Sequence, residues 1–315
     1  MMRNQPIQGS GLLRGGDLAV VTPSYLPDLE LCTDLNRTVL DMTEPDVIHH
    51  IIVPDQDLRA FAGLRGPRTE VHGARQFFPR SFVRSPGLNV WVNAVRPWPP
   101  IRGWIAQQII KLAVVAQLDV DGALLLDSDS ILIRETTLET FRKNGSIALY
   151  RAPGAVNDTL PGHRLWHVSA RKLLGLEPPP PGDLTDYICW PCLWEPAVVR
   201  NMLGHIEHIT GRDWTTAVGA QLHFSEMILY GLYVDEVAGE VVPGINEMSG
   251  IVHTAEVPLS QSEIERLLSE APGNKNVVML SAKAGIPLDV RRRALGSFLG
   301  SSLGPSVGPE RGDIR

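Results

Sequence analysis

One short run constrains this chain more than any other: Ala123-Leu124-Leu125-Leu126 followed at once by Asp127-Ser128-Asp129. Four apolar residues bounded by acids on both sides are too few for a buried helix, so the run predicts a central strand. Such a strand delivers two carboxylates, one residue apart, to its carboxyl end, where open α/β sheets bind their ligands. Two acids directly after a buried strand are costly unless they are paired or bound to a metal. Hard divalent cations take oxygen ligands. Mg2+ or Mn2+ held by one or two carboxylates completes its shell with water and substrate phosphate, which links the run to a diphosphate substrate. The competing reading is a plain turn, since Asp and Ser both favour turns.

The rest of the chain supplies a setting for that strand. Residues 18–21 form a first apolar run, ending in Thr22-Pro23-Ser24-Tyr25. A helix over 29–42 follows from the three- and four-residue spacing of Leu31, Leu35, Val39 and Met42, and 48–53 is the next strand. Residues 103–118 predict a helix with Ile105, Ile109, Leu112, Ala113 and Ala116 on its buried face. Beyond Asp129 come a short strand over 131–133, a helix over 137–142, an apolar run over 147–150 and a rigid proline connector over 178–182. Helices over 195–210 and 225–232, a strand end over 250–253 and a strand over 276–280 complete the pattern. Ser260 and Glu263 have capping-box spacing for a helix through 268. Strands alternating with helices predict an α/β fold with a mixed, mostly parallel central sheet flanked by helices. Residues 17–299 are expected to form one domain, with 1–16 a loose leader and 300–315 a loose tail.

Composition narrows the function classes. A chain of 315 residues with 43% hydrophobic and 20% charged residues can bury a substantial core. Twenty-nine Lys and Arg against 35 Asp and Glu argue against a surface built to hold nucleic acid. Three cysteines make no disulfide framework and no secretion signal is readable, so a cytoplasmic location is expected. The longest apolar segment, 104–118, is interrupted by Gln107, Gln108 and Lys111 and is too short for a transmembrane segment. Residues 65–102 run against the global charge, with seven arginines and the single acid Glu70. They are either a solvated loop whose arginine stems cover apolar surface or a basic wall for phosphate. Cys189-Trp190-Pro191-Cys192 has redox spacing but follows the proline connector rather than a strand. Trp190 and Trp194 read as a sugar-stacking wall or as ordinary core.

The segment from Gly103-Trp104 through Gln107, Gln108 and Lys111 into Leu125-Leu126-Asp127-Ser128-Asp129 resembles bacterial glycosyltransferases of the GT-A type, an uncharacterised family associated with polysaccharide gene neighbourhoods. The resemblance continues through Thr210-Gly211-Arg212-Asp213-Trp214 and Phe224-Ser225-Glu226 with Leu229-Tyr230-Gly231, and it spans most of residues 18–290. It implies a GT-A-like domain with a nucleotide-sugar-binding half (17–150) and an acceptor half (151–299). It also implies a nucleotide-diphosphate-sugar donor, a carbohydrate or other hydroxyl acceptor, and Mn2+ or Mg2+ at Asp127 and Asp129. Nucleotide contacts would come from Thr22, Pro23, Ser24 and Tyr25, with Gln108, Lys111 and Ser128 beside the donor. Lys111 would reach phosphate or a metal-site carboxylate, and Arg102 is a second candidate cation. His253 would be a third metal ligand, while Asp213 and Glu226 would serve the acceptor and its proton, with Glu226 at a helix start.

Two rivals share these residues. In a phosphatase of the haloacid dehalogenase type Asp127 would attack phosphate covalently and Asp129 would act as acid and base. Asp183 and Asp186 imitate that family's later acidic motif, but prolines rather than an apolar strand precede them. The other rival is a non-catalytic sugar-binding protein. Arg291, Arg292 and Arg293 read either as a peripheral contact to an anionic membrane or carrier, or as an exposed helix face.

Overall fold

Successive side chains of the first strand, β1 (Leu18–Pro23), face opposite sides of the sheet and all of them are buried. A strand of that kind needs cover on both faces. α1 (Leu29–Met42) supplies one cover, packing Leu35 and Val39 against Leu18, Val20, Leu124 and Leu126. The computed structural model describes residues 12, 16–85, 90–94, 98, 100–239 and 241–300. The expected leader and tail lie outside the described residues, apart from Leu12, Gly16 and Gly300.

β2 (Ile48–Val53) pairs parallel with β1, and β3 (Thr69–Gly73) pairs parallel with β2. The arginine-rich stretch is therefore partly sheet. It continues into a small antiparallel ribbon of β4 (Phe82–Arg84), β5 (Val90–Asn93) and β6 (Ile101–Arg102). Four of its seven arginines clasp backbone carbonyls: Arg65 on Val71, Arg68 on Leu40 and Val47, Arg75 on Phe78 and Pro79, and Arg102 on Leu222. Those four are thereby committed to holding loops rather than to a phosphate wall.

α2 (Gly103–Gln117) covers the other face of the sheet, with Ile105, Ile109 and Leu112 against Ala19, Val21 and Leu125. β7 (Gly122–Leu125) then pairs with β1 on the side away from β2. The five-stranded order is the strand Cys192–Trp194, then β7, β1, β2 and β3, parallel except for Cys192–Trp194. This is the mixed, mostly parallel α/β sheet that the sequence predicts. β8 (Ser130–Leu132) leaves it for a second sheet, pairing antiparallel with Val277–Leu280, which lies parallel to Gly250–His253. At Gly250 a Cβ would meet the Trp190 carbonyl oxygen at 2.4 Å, so only glycine lets the second sheet pack so close to the chain entering Cys192.

α3 (Pro161–Leu174), α4 (Pro196–Thr210), α5 (Trp214–Gly219) and α6 (Glu226–Glu236) join the α2 core, while α7 (Gln261–Ser269) and α8 (Leu288–Leu299) cover the second sheet. Ser260 and Glu263 make the expected capping box of α7. Two sequence expectations change. The helix over 137–142 is a single three-residue-period turn, Leu138–Phe141, because its two buried residues stand three apart. The run over 147–150 divides between Ser146–Ile147 and Leu149–Tyr150, which pair with different partners. α3 and α5 have no counterpart in the sequence reading, and α8 has one only in the helix-face alternative for Arg291–Arg293. Among the described residues no helix is long and apolar enough to cross a membrane.

Candidate active site

The chain leaves β1 to build β2 and β3 on one side, whereas β7 returns on the other side, so the carboxyl ends of β1 and β7 form a switch point, the place where open α/β sheets bind their ligands. Leu126 N still donates to Val21 O at 3.1 Å, and the chain then turns, with Ser130 N donating to Asp127 O at 3.0 Å. Ser128 Oγ donates to Asp28 Oδ2 at 2.7 Å, bringing the N-cap residue of α1 against the turn. Asp129 is braced from the far end of the chain. Its Oδ2 accepts from Ala282 N at 2.9 Å, and its carbonyl accepts from Leu280 N and from the buried Arg291 guanidinium of α8. From α2, Lys111 Nζ stands 3.3 Å from Asp127 Oδ1, 3.4 Å from Glu226 Oε1 and 5.3 Å from the centre of the Trp190 ring.

The charges do not balance. Asp28, Asp127, Asp129 and Glu226 face Lys111 and Arg291, which leaves two negative charges when all six are ionised. Burial raises the Asp129 carboxyl above its ordinary range, against the Ala282 amide, and Asp127 raises it further. Burial also raises Asp28, against the Ser128 hydroxyl, and Asp127 again adds to it. Lys111 is raised too: burial pulls it down, but Asp127 and Glu226 outweigh that and hold it as an ammonium. Burial lowers Arg291 to about 10, which still leaves it charged at neutrality. Asp129 Oδ1 is buried and accepts no hydrogen bond, and Asp127 Oδ1 is buried with Lys111 Nζ at 3.3 Å. Carboxylate oxygens gathered in a site short of two positive charges are a fitting donor set for Mn2+ or Mg2+.

The other expected site residues divide into those near the crevice and those engaged elsewhere. Tyr25 is 49% exposed, and its hydroxyl is raised by Asp28 first, then by burial and by Asp129, which puts it beside the carboxylates. Ser24 N donates to Ile52 O, and Pro23 lies opposite Ile52 in the sheet. The Thr22 side chain is fully buried against His49 Nε2 at 2.9 Å. Gln108 Oε1 accepts from Glu226 N at 3.0 Å and so fixes the start of α6. Asp213 caps α5 by accepting from Thr216 N at 3.1 Å.

His253 sits at the end of its strand opposite Leu280, with Nε2 2.9 Å from Val257 O. Asp127, Asp129 and His253 do not bring their ligand atoms within 4.8 Å of one another. Asp186 lies on a separate two-stranded ribbon, engaged by His163 at 3.0 Å and Ile188 N at 3.1 Å. Cys189 and Cys192 are free thiols. Arg292 pairs with Glu30 and Asp34, so with Arg291 buried only Arg293 of that trio is exposed. Sequence reasoning missed Asp28 and Arg291. The signal for Asp28 was available, three residues beyond Tyr25, whereas Arg291 was hidden in a basic triplet.

Set against known proteins, residues 18–242 match the sequence profile described as a family of unknown function (DUF6492). No curated protein matches the chain. Among solved structures, the crystal structure of an active-site mutant of LgtC is similar at 15% sequence identity, with 92% of this chain and 98% of that chain covered and a TM-score of 0.40. An overlay that loose assigns no residue a role.

Proposed function

The chain belongs to DUF6492, a family of unknown function, so its activity has to be read from the site, and we propose that it is a metal-dependent glycosyltransferase of the GT-A type. It would move a sugar from a nucleotide-diphosphate-sugar donor to a hydroxyl of a carbohydrate or glycoconjugate acceptor. One observation carries the reading: the carboxyl ends of the parallel strands gather four carboxylates against two cations, with Asp129 Oδ1 buried outside any hydrogen bond and Asp127 Oδ1 facing Lys111. Asp127 and Asp129 would hold Mn2+ or Mg2+, which when bound offsets the charge that builds on the departing diphosphate.

The chain's own residues do the remainder. Tyr25, half exposed beside Asp28, would offer an aromatic face to the nucleobase. Lys111 stays cationic between Asp127 and Glu226. Glu226, anchored by Gln108 at the first turn of α6, would take the acceptor proton. The acceptor oxygen then bonds to the anomeric carbon as the bond from that carbon to the diphosphate oxygen breaks with its electron pair.

The test is calorimetric binding of uridine and guanosine diphosphates with and without Mn2+, on wild type and Asp129→Ala, followed by a nucleotide-sugar panel. Wild type is expected to bind a diphosphate only with the metal, and Asp129→Ala to lose that binding. Equal affinity in the two proteins would reject the assignment. Phosphate release from a phosphomonoester without any nucleotide sugar would favour the phosphatase reading instead.

A further inference from the structure

A second set of ligands lies away from the carboxylate crevice, on the outer two strands of the parallel sheet. Parallel pairing sets His50 of β2 opposite Glu70 of β3 and Ile52 opposite His72. Since side chains alternate along a strand, His50, Glu70 and His72 share one face. Their polar atoms converge. Glu70 Oε2 lies 3.1 Å from His50 Nδ1 and 3.0 Å from His72 Nε2, and the two nitrogens are 3.5 Å apart.

We propose that His50, Glu70 and His72 form a binding site for Zn2+ or a similar borderline divalent ion, clamping the edge strand β3 to β2. The triangle has the right size: a tetrahedral zinc with bonds of about 2.0–2.1 Å holds its donors roughly 3.3 Å apart. The donor chemistry is also right, because two imidazoles with one carboxylate select zinc-like ions over the hard Mg2+ and Mn2+ that suit the aspartates. His50 is fully buried and its other nitrogen, Nε2, has no hydrogen-bond partner, so every polar contact of that ring runs through the cluster. The Glu70 and His72 side chains are 19% and 14% exposed, leaving room for a water as fourth ligand, and the Phe77 edge closes the His72 side.

The full chain, stripped by chelator and desalted, is titrated with zinc chloride against a chromogenic competitor, and retained metal is measured by elemental analysis. Wild type and Asp129→Ala are each expected to hold one zinc per chain. His72→Gln and Glu70→Gln, checked for native circular dichroism, are expected to bind at least tenfold more weakly. Cobalt loading of wild type should give the intense visible bands of a four-coordinate ion, a readout that needs no variant. A zinc-free wild type, undiminished zinc affinity in folded His72→Gln, or loss of the zinc in Asp129→Ala alone would each overturn the proposal. A zinc-free wild type or an unaffected His72→Gln says nothing about diphosphate binding at Asp129, so the two readings fail separately.

Discussion

Lys111 is the residue on which the carboxylate crevice turns. It is buried on α2 with one acid on each side, and neither acid has another cation within ion-pair distance among the described residues. Removing one member of a buried ionic group leaves the others uncompensated, which costs about 3–5 kcal/mol when fully buried. Asp127 is 32% exposed, which puts the cost at the lower end of that range. Lys111→Met is therefore expected to destabilise the protein by about 3 kcal/mol in chemical denaturation. Adding Glu226→Gln should recover part of the loss. A second substitution that adds its own full cost would show that the ammonium and the two carboxylates are not coupled. At this scale the sequence was legible where chemistry is local, as in Asp127-Ser128-Asp129. It was silent where a partner comes from a hundred residues away, as Asp28 does for Ser128.

Among the elements, α3 is tied to the strand Leu184–Asp186 through His167, whose Nε2 lies 2.9 Å from Thr185 O. Burial lowers the His167 imidazole, with the Thr185 carbonyl and Asp186 opposing the shift, so the ring is neutral when folded. A lowered imidazole adds stability above its unfolded value of about 6.5, and that stability is lost as the pH falls below that value toward the folded one. Melting temperature should thus drop between pH 7.5 and 5.5 less steeply in His167→Gln than in wild type. Identical slopes would rule out His167 as a contributor. Elements were legible wherever one period ran long enough: α1 and β2 fall on the expected residues, and α2 ends one residue early. β3 was not, because its Thr-Glu-Val-His-Gly alternation places polar side chains on one face amid prolines and arginines and reads as a loop. α8 was legible only as an exposed helix face, since Arg291-Arg292-Arg293 suggests a solvated surface although Arg291 is buried behind Asp129.

Across the whole molecule, the family match stops at residue 242, yet the groups that hold Asp129 in place come from 280, 282 and 291. A protein cut after residue 242 would also expose Ile131 and Ile133, which pack against Ile264, Leu268 and Leu295. It is expected to show a lower melting temperature and no Mn2+-dependent diphosphate binding. Full binding by that shortened chain would mean the aspartates need no support from behind. The mixed sheet could be foreseen from strand and helix spacing alone, but this dependence could not, because no local pattern records which distant backbone an arginine will meet. Grafting experiments inherit the same constraint: a chimera that joins these first 240 residues to an unrelated ending would keep every letter of the acidic signature while its second aspartate lost the scaffold that aims it.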